Sequence, residues 1–248
     1  MRHVHAVVHF VAPVGTAAEF LGWDDAFLEQ VSIGGPEVLW FWEAVQPFIV
    51  VGRGQRVDLE VNRIICELDG IPILRRTSGG GAVVQGTGCL NYGLVLRIPD
   101  SGPLLTVTTT NLWIMERQAA ALRRAGLEGV VVRGHTDLAI LQNGMERKFS
   151  GNAQRRLRDC VLFHGTVLYC AAWENMDRWL KHPSSEPLYR SGRSHSEFLT
   201  NIPFSAPQIR DALITQWQAE TALTGAPWDA RSAWIDKRYS LSEWNLAR

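Results

Sequence analysis

The sequence predicts an α+β fold with mixed or antiparallel sheets flanked by helices. Segments of helical and strand periodicity are interspersed without the strict strand–helix alternation of a parallel sheet. Two strand-like runs are also joined by Asn143-Gly144, a strong hairpin signal. The chain has 248 residues, of which 46% are hydrophobic and 20% charged. It is therefore long enough to bury one good core, as ordinary globular proteins do.

The predicted strands and helices are short segments that can be recognised from their hydrophobic periodicity. The apolar run in residues 1–15 predicts a first strand, because it is too short to span a membrane. Residues 17–31 place apolar side chains at helical spacing, and residues 37–55 predict two strands interrupted at Gln46-Pro47. Further strands are predicted within 70–76, 89–96, 159–170 and the hairpin 136–154, and further helices within 108–127 and 206–223.

Charge and cysteine content limit the possible partners. Lys+Arg 25 and Asp+Glu 25 give zero net charge, so we expect no bulk attraction to nucleic acid or to a membrane. The four cysteines show neither a CxxC pair nor metal-type histidine spacing, so free thiols in a reducing compartment are expected. No signal-peptide cleavage pattern follows the first strand. These features predict a cytoplasmic monomer that binds neither nucleic acid nor membranes.

The segment RRTSGGGAVVQGTGCLNYG, residues 75–93, places two arginines before three consecutive glycines. Glycine loses much conformational entropy on folding, so such a run is expected where backbone must approach a ligand closely. Paired arginines indicate an anionic ligand. Neither the Walker nor the Rossmann glycine pattern fits. Successive N–H groups could hold phosphate oxygens, and the alternative is an ordinary glycine-rich hairpin with surface arginines.

Four motifs, in this order, resemble the lipoate–protein ligase family, the lipoyl branch of the biotin/lipoyl ligase superfamily. The glycine segment is similar to the family pattern RRxSGGGAVxHDxGNLNYS. It is followed by GHTDLAILQNGMERKFSGNAQ, by the HGT of LFHGTVL and by RYSLSEWN. Order and spacing agree over roughly residues 20–200. The resemblance implies a fold like that of class II aminoacyl-tRNA synthetases and biotin–lipoyl ligases. It also implies one catalytic domain over 1–248, with a core to about 203 and a helical segment over about 204–248.

The same resemblance implies a two-step reaction that uses ATP and Mg²⁺. Lipoate or octanoate attacks the α-phosphate to give an acyl-AMP, and a lysine of a lipoyl-acceptor domain then displaces AMP. Both steps move negative charge, so the protein must mainly position and neutralise the reacting groups.

Lys148 matches the family lysine that contacts the acyl carbonyl and the α-phosphate, and it is the expected catalytic residue. Arg75 is the expected active-site arginine, with Arg76 in support, and Asp137 is expected near the adenylate or its magnesium. His164 either acts in the site or orients its neighbours from the core. The full expected binding set is Arg75, Arg76, Ser78, Gly79, Gly80, Gly81, Ala82, Asn91, Asp137, Ser150, Gly151, Ala153 and His164.

Three departures from the family pattern leave parts of this prediction open. Thr136 replaces the usual Asn, and Gln85-Gly86 replaces the usual His-Asp. The second of these changes leaves the acyl substrate open among lipoate, octanoate and a related acid. Single-chain bacterial relatives continue into an accessory domain after Glu-Trp-Asn. No such domain is expected here, which suggests the catalytic half of a two-component ligase with a small accessory protein.

Two other functions are possible on this fold. A cysteine-dependent octanoyl- or lipoyl-transferase would take its acyl group from a carrier thioester, with Cys89 or Cys160 as candidate nucleophiles. A lipoyl-domain binder without catalysis is the third possibility. Finally, five arginines are expected either to rim the site and attract an acidic acceptor or to form an ordinary basic surface, namely Arg155, Arg156, Arg158, Arg190 and Arg193.

Overall fold

The computed structural model describes residues 6–172 and 175–247. The strands within these ranges are β1 (Val7–Val11), β2 (Glu37–Trp42), β3 (Phe48–Val51), β4 (Ile73–Arg75), β5 (Val83–Gln85), β6 (Cys89–Arg97), β7 (Val131–Arg133), β8 (Asp137–Gln142), β9 (Met145–Arg156) and β10 (Cys160–Leu168). The α-helices there are α1 (Ala17–Ser32), α2 (Val57–Glu60), α3 (Arg63–Leu68), α4 (Val107–Arg124), α5 (Met176–Trp179), α6 (His195–Phe198), α7 (Ala206–Trp217), α8 (Trp228–Trp234) and α9 (Ser242–Asn245). A 3₁₀ turn covers Leu188–Arg190 and a π turn covers Ile235–Tyr239.

Two mixed sheets form the frame of the described residues. The larger has the order β1-β2-β6-β10-β9-β8-β7, in which β1 and β2 are parallel and all other neighbours antiparallel. The smaller has the order β4-β3-β5, with β3 parallel to β4 and antiparallel to β5. The predicted α+β class with mixed sheets is therefore confirmed.

Helices cover both faces of the larger sheet. On one side α4 and α7 pack Ile114 and Leu213 into a core that includes Leu39 and Phe163. On the other side α1 contributes an aromatic cluster that contains Phe27 and packs against Trp40 and Leu162. Every residue of β2 is buried, because its two faces serve the two cores. This double burial explains why the strand is continuously apolar from Val38 to Trp42.

Local signals placed several element ends correctly. Helix α1 begins at a capping box in which Thr16 accepts from the Glu19 N–H and the Glu19 carboxylate accepts from the Thr16 N–H. The β8–β9 turn has positive φ at Asn143 (52°) and Gly144 (76°), as the hairpin signal requires. Helix α7, however, ends at Trp217 rather than near residue 223. Gln218 adopts a left-handed conformation there and closes the last turn.

The glycine segment is not a hairpin. Strands β4 and β5 both pair with β3, which lies between them, so the glycines span from one edge of the small sheet to the other. Strand β5 was not predicted, because the sequence gives no local sign that residues 83–85 pair with a strand about 35 residues earlier.

A β-bulge in β9 sets the orientation of the residues that follow the hairpin. Asp137 pairs with Gly151 and Leu138 with Ser150, but Ala139 pairs with Lys148, so Phe149 is an extra residue. Asp137 and Ala139 are alternate residues of β8 and lie on the same face of the sheet. Their partners Gly151 and Lys148 therefore also share a face, although they are three positions apart in β9. Phe149 packs into the core. In the part of the chain that the structure describes, no helix is long and apolar enough to cross a membrane.

Candidate active site

A cleft of about 810 Å³ opens beside the bulge. Its walls come from the glycine segment, from the start of β8, from the middle of β9 and β10 and from the segment 183–190 that precedes α6. Nine of the thirteen residues expected to bind substrate line it, namely Arg76, Gly80, Gly81, Ala82, Asn91, Asp137, Gly151, Ala153 and His164, and so does the expected catalytic Lys148. The structure therefore brings most of the predicted residues to one cavity.

Lys148 presents its ammonium group to this cleft. The Nζ atom lies 2.8 Å from Oδ1 of Asp137, and the Tyr189 hydroxyl donates to Oδ2 of the same carboxylate at 2.9 Å. Burial and the Asp137 charge raise the pKa of Tyr189, so its hydroxyl stays protonated and can donate. Gly151 leaves room for the lysine, since a Cβ there would lie 2.7 Å from Nζ. The Lys148 ammonium group on the cavity wall is therefore paired with Asp137, and Tyr189 binds the other oxygen of that carboxylate.

Arg76 shapes the glycine loop from beneath. Its guanidinium donates to the Gly79 carbonyl (2.6 and 3.0 Å), to the Gly81 carbonyl (2.8 Å) and to Oγ of Ser78 (3.1 Å). Burial lowers the pKa of Arg76 to about 10, and the side chain remains charged at neutral pH. Arg76 therefore binds the carbonyl oxygens of Gly79 and Gly81, whose partial negative charge would otherwise repel an anionic ligand.

Arg75 does not reach the cleft, contrary to the prediction that it is the active-site arginine. It is buried and donates to backbone carbonyls of two segments, Gly52–Gln55 and Trp244–Ala247. The Arg75 carbonyl accepts from Trp244 Nε1, and the Arg75 N–H donates to Oδ1 of Asn245. The RYSLSEWN stretch thus docks on strand β4. Adjacent strand residues face opposite sides, so only Arg76 can serve the cavity.

The glycines in and near the loop have different structural roles. Gly80 has φ +88°, a conformation that side chains rarely adopt. A Cβ on Gly52 would overlap the Gly80 carbonyl, so the two segments pack backbone against backbone. Gly79 and Ser78 do not line the cleft, although both were expected to bind the ligand. Their contacts with Arg76 instead make them part of the loop's support.

His164 lies between two buried groups that come from distant parts of the chain. Its Nδ1 lies 2.7 Å from Oδ2 of Asp24 in α1, and its Nε2 lies 2.6 Å from Oγ of Ser78. The neighbouring Gly165 is required, because a Cβ there would overlap Oδ1 of Asn152. Both expected roles of His164 are compatible with this placement: it lines the cleft, and it also orients buried neighbours.

A closed ring of three polar side chains forms another part of the wall. Gln85 Nε2 donates to Thr166 Oγ1 (2.8 Å), Thr166 Oγ1 donates to Asn91 Oδ1 (2.6 Å), and Asn91 Nδ2 donates to Gln85 Oε1 (2.8 Å). Gln85 stands where the family pattern has histidine. The three side chains thus satisfy one another's hydrogen bonds, and together they form a neutral polar part of the cleft wall.

Ser150 supports the wall without lining it. Asn152 donates to Ser150 Oγ (3.2 Å) and to the Thr136 carbonyl (2.7 Å), and it accepts from the Tyr92 hydroxyl (2.5 Å). Thr136 donates back to the Asn152 carbonyl at 2.6 Å. The residue that replaces the family's Asn at position 136 is therefore tied to β9 through its hydroxyl.

No cysteine lines the cleft, and all four lie within the described residues. Cys89 and Cys160 are buried, and burial raises the pKa of each thiol to about 12. A nucleophilic cysteine needs a stabilised thiolate and access to substrate. Neither of the two candidate thiols has these properties.

The expected magnesium position rests on Asp137. In residues 6–172 and 175–247 no group of three or more His, Cys, Asp or Glu side chains is arranged to hold a metal ion. Mg²⁺ bound with a nucleotide usually takes one or two carboxylates together with phosphate oxygens and water. A single carboxylate on the cleft wall fits that arrangement.

The expected basic rim is largely absent. Arg155 pairs with Asp25, and Arg156 donates to Thr110 Oγ1 and to the Leu104 carbonyl. Arg193 donates to the carbonyls of Glu146 and Tyr189. Arg190 lines the cleft but is buried. Most of these guanidinium groups thus hold the fold together instead of facing an incoming partner.

Among the lining residues that sequence reasoning missed, Asp24, Tyr189 and Asn152 bind the groups described above. A signal existed for Asp24, since Asp24 and Asp25 interrupt the apolar helix GWDDAFL, and a carboxylate at a buried position needs a partner. No local pattern marks Tyr189, which reaches Asp137 from 52 residues away.

Known proteins of similar sequence or fold include lipoate-protein ligases and an octanoyltransferase. The family model of the lipoyl protein ligase A/B catalytic domain matches residues 16–217. Lipoate-protein ligase LplJ of Bacillus subtilis is 30% identical over 217 residues, which cover 82% of this chain and 62% of that protein. The chain thus spans less than two thirds of LplJ. Octanoyltransferase LipM of Carboxydothermus hydrogenoformans is 28% identical over 219 residues, 80% of each chain.

Among solved structures, a bi-partite lipoate protein ligase from Thermoplasma acidophilum, described with its E2 lipoyl domain, superimposes with a TM-score of 0.82. The match covers 100% of this chain and 98% of that one at 24% identity. At this identity the match shows the fold alone. With the family model matched over most of the sequence, the chain belongs to the lipoyl protein ligase A/B catalytic domain family.

Proposed function

We propose that this protein is a lipoate–protein ligase that activates lipoate or octanoate with ATP and transfers the acyl group to a lysine of a lipoyl-acceptor domain. The observation that carries the proposal is Lys148, whose ammonium lies on the wall of a large cleft that no thiol lines. A fixed cation at this position can stabilise a phosphate leaving group such as AMP.

Lys148, the glycine loop and Arg76 each have a defined role in this mechanism. Lys148 would leave Asp137 and contact the acyl carbonyl and α-phosphate oxygens, where it would stabilise the charge that develops in both steps. The Gly80–Ala82 backbone would lie along the adenylate, since Gly80 and Gly81 leave the loop free of side-chain bulk. Arg76 would hold this loop open by binding its carbonyls.

Asp137 would hold the magnesium ion, which when bound neutralises phosphate charge. Its Oδ1 is paired with Lys148 in this structure. The hydrogen bond from Tyr189 to Oδ2 fixes the orientation of the carboxylate.

An octanoyltransferase is the second candidate, because the octanoyltransferase LipM matches this chain over 80% of its length. That reaction would need a cysteine in the cleft if it used a thiolate. The burial of Cys89 and Cys160 favours the ligase. A lipoyl-domain binder without catalysis is disfavoured, because Lys148 and the glycine loop are both in place.

We also propose that these residues act as one catalytic domain and cooperate with a separate accessory chain. The similarity to the bi-partite ligase of T. acidophilum supports this part of the proposal. A cytoplasmic location, with a lipoyl domain as acceptor, belongs to it as well; four free cysteines are compatible with a reducing compartment.

ATP–pyrophosphate exchange tests the proposal directly. Purified protein is assayed with lipoate and with octanoate, with and without a candidate accessory chain, and acyl transfer to a lipoyl domain is followed by mass spectrometry. A ligase shows exchange that depends on acyl acid and ATP. Transfer from an octanoyl-carrier thioester without ATP would establish the transferase instead, and failure in all three assays would support a binder.

A further inference from the structure

Two adjacent carboxylates of α1, Asp24 and Asp25, are both buried but have different partners. Asp25 binds Arg155, Arg238 and Tyr239, so it ties α1 to the C-terminal part of the described chain. Asp24 binds His164, which lines the cleft. A helix that needed only to anchor neighbours would not require the second carboxylate.

The hydrogen bonds beyond His164 continue as one chain to Arg76. Arg76 Nε can only donate, so Ser78 Oγ accepts from it at 3.1 Å. The Ser78 hydroxyl proton then has Nε2 of His164, at 2.6 Å, as its acceptor. In the neutral ring Nε2 accepts this proton, and the ring proton lies on Nδ1, where it is donated to Asp24 at 2.7 Å. The alternative is a protonated ring that donates from both nitrogens, because Ser78 Oγ has two lone pairs and can accept from Nε2 as well as from Arg76.

The chain ends at the glycine loop. The guanidinium of Arg76 that donates to Ser78 also donates to the carbonyls of Gly79 and Gly81. Arg76 Nε is shared between Ser78 Oγ (3.1 Å) and the Gly79 carbonyl (3.0 Å), and the other N–H groups donate to the loop and to the Val50 carbonyl of β3 (3.3 Å). Ser78 is therefore one of the contacts that orient the guanidinium against the loop. Asp24 and His164 themselves line the cleft, and three hydrogen bonds connect Asp24 to the guanidinium that holds the loop carbonyls.

A Ser–His–Asp set with these distances also occurs in acyl-transfer enzymes, where serine is the nucleophile. Here Ser78 is 2% exposed and does not line the cleft. Its oxygen also accepts from a cation, which reduces its nucleophilicity. The set is therefore arranged for positioning and not for attack.

We propose that Asp24 is a positioning residue, which selects the Nδ1–H form of His164 and thereby, through Ser78 and Arg76, holds the glycine loop in its ligand-binding conformation. This inference rests on the proposed function, because it assumes that the ligand of the cleft is an acyl-adenylate. Its first readouts, however, use the ligand-free protein and require no activity.

The test compares Asp24→Ala with the matched variant Asp25→Ala in ¹⁵N-labelled full-length protein. Long-range ¹H–¹⁵N spectra report the ring tautomer of His164, which is assigned with His164→Gln, and amide spectra report Gly79, Gly80 and Gly81. We expect wild type and Asp25→Ala to show the Nδ1–H form. Asp24→Ala should lose that form and shift the three glycine amides. An unchanged tautomer, or equal glycine shifts in both variants, would overturn the proposal.

Binding of a non-hydrolysable lipoyl-sulfamoyl adenosine supplies the second measurement. Loss of one hydrogen bond in the chain should weaken affinity roughly tenfold in Asp24→Ala and in Ser78→Ala. The double variant should bind no more weakly than the weaker single one, because both break the same chain. Additive losses would refute the connection. If Asp24→Ala does not fold, Asp24→Leu, which fills the space, takes its place in both measurements.

The two proposals can fail separately. Absence of analogue binding by wild type would count against the acyl-adenylate ligase, while the tautomer and the glycine amides would still decide the role of Asp24. Labelling of Ser78 by a fluorophosphonate would show an accessible nucleophile and would overturn the positioning role.

Discussion

Gly151→Ala tests whether Lys148 needs the space that the bulge in β9 creates. A Cβ at position 151 would lie 2.7 Å from Nζ and 2.8 Å from Cε of Lys148. Ordinary contact begins near 3.4 Å, so the ammonium must move by about 0.7 Å away from Asp137 or the cleft. Displacement of a catalytic group by about 1 Å can cost about 100-fold in rate. We expect the variant to be about 10- to 100-fold slower.

Folding should not be affected by this change. Gly151 is a strand residue outside the left-handed region, so alanine introduces no backbone strain. The nearest other atom, Asp137 Oδ1, would lie 3.8 Å away, an ordinary contact. The midpoint of thermal unfolding should therefore match that of wild type. Gly54→Ala is the control, since a Cβ there meets nothing within 4 Å.

The assay is single-turnover transfer from preformed lipoyl-AMP to a lipoyl domain, which separates this step from ATP binding. A double-mutant cycle with Lys148→Ala separates displacement of the lysine from direct obstruction of substrate. If the methyl group acts through Lys148, adding Gly151→Ala to Lys148→Ala should cost little more. A rate within about threefold of wild type for Gly151→Ala would show that the long lysine side chain adapts, and the reasoning would fail.

Three further changes have separate expected outcomes. Lys148→Ala should fold but lose at least about 100-fold in ATP-dependent lipoylation, because a preorganised cation is removed; near-normal activity would exclude its catalytic role. Cys89→Ser and Cys160→Ser should retain most ATP-dependent activity in folded protein, whereas a trapped acyl-thioester in wild type would favour a transferase. Tyr189→Phe keeps the ring beside Phe198 (5.0 Å) but removes the bond to Asp137. It should lower the free energy of unfolding by about 1.5 kcal/mol in urea titrations, and an unchanged value would show that the bond contributes nothing.

Several features of the site follow from the sequence because they depend on neighbouring residues. The β8–β9 turn needs two residues with positive φ, and Asn143-Gly144 supplies them wherever the strands lie. The cap of α1 likewise depends on Thr16 and Glu19 alone. The motifs around Lys148 and the three glycines indicate the family for the same reason: their spacing is visible along the chain.

The choice between Arg75 and Arg76 could not be made in this way. Neighbouring strand residues point to opposite faces, and the pattern does not say which face meets the cleft. Docking of Trp244 and Asn245 on β4 decides it, since that contact occupies Arg75 and leaves Arg76 for the glycine loop. The deciding residues are about 170 positions away.

Sequence alone thus determined the family, the fold class and the hairpin, and it pointed to Lys148, which lines the cleft. All of these are encoded in local pattern and spacing. Tertiary structure decided the rest. The bulge at Phe149 depends on how β9 pairs with β8, and it places Lys148 beside Gly151. Asp24 meets His164 because α1 packs across the sheet, 140 positions away in the chain. Such contacts join residues whose separation carries no periodicity, so they follow only from packing of the whole core.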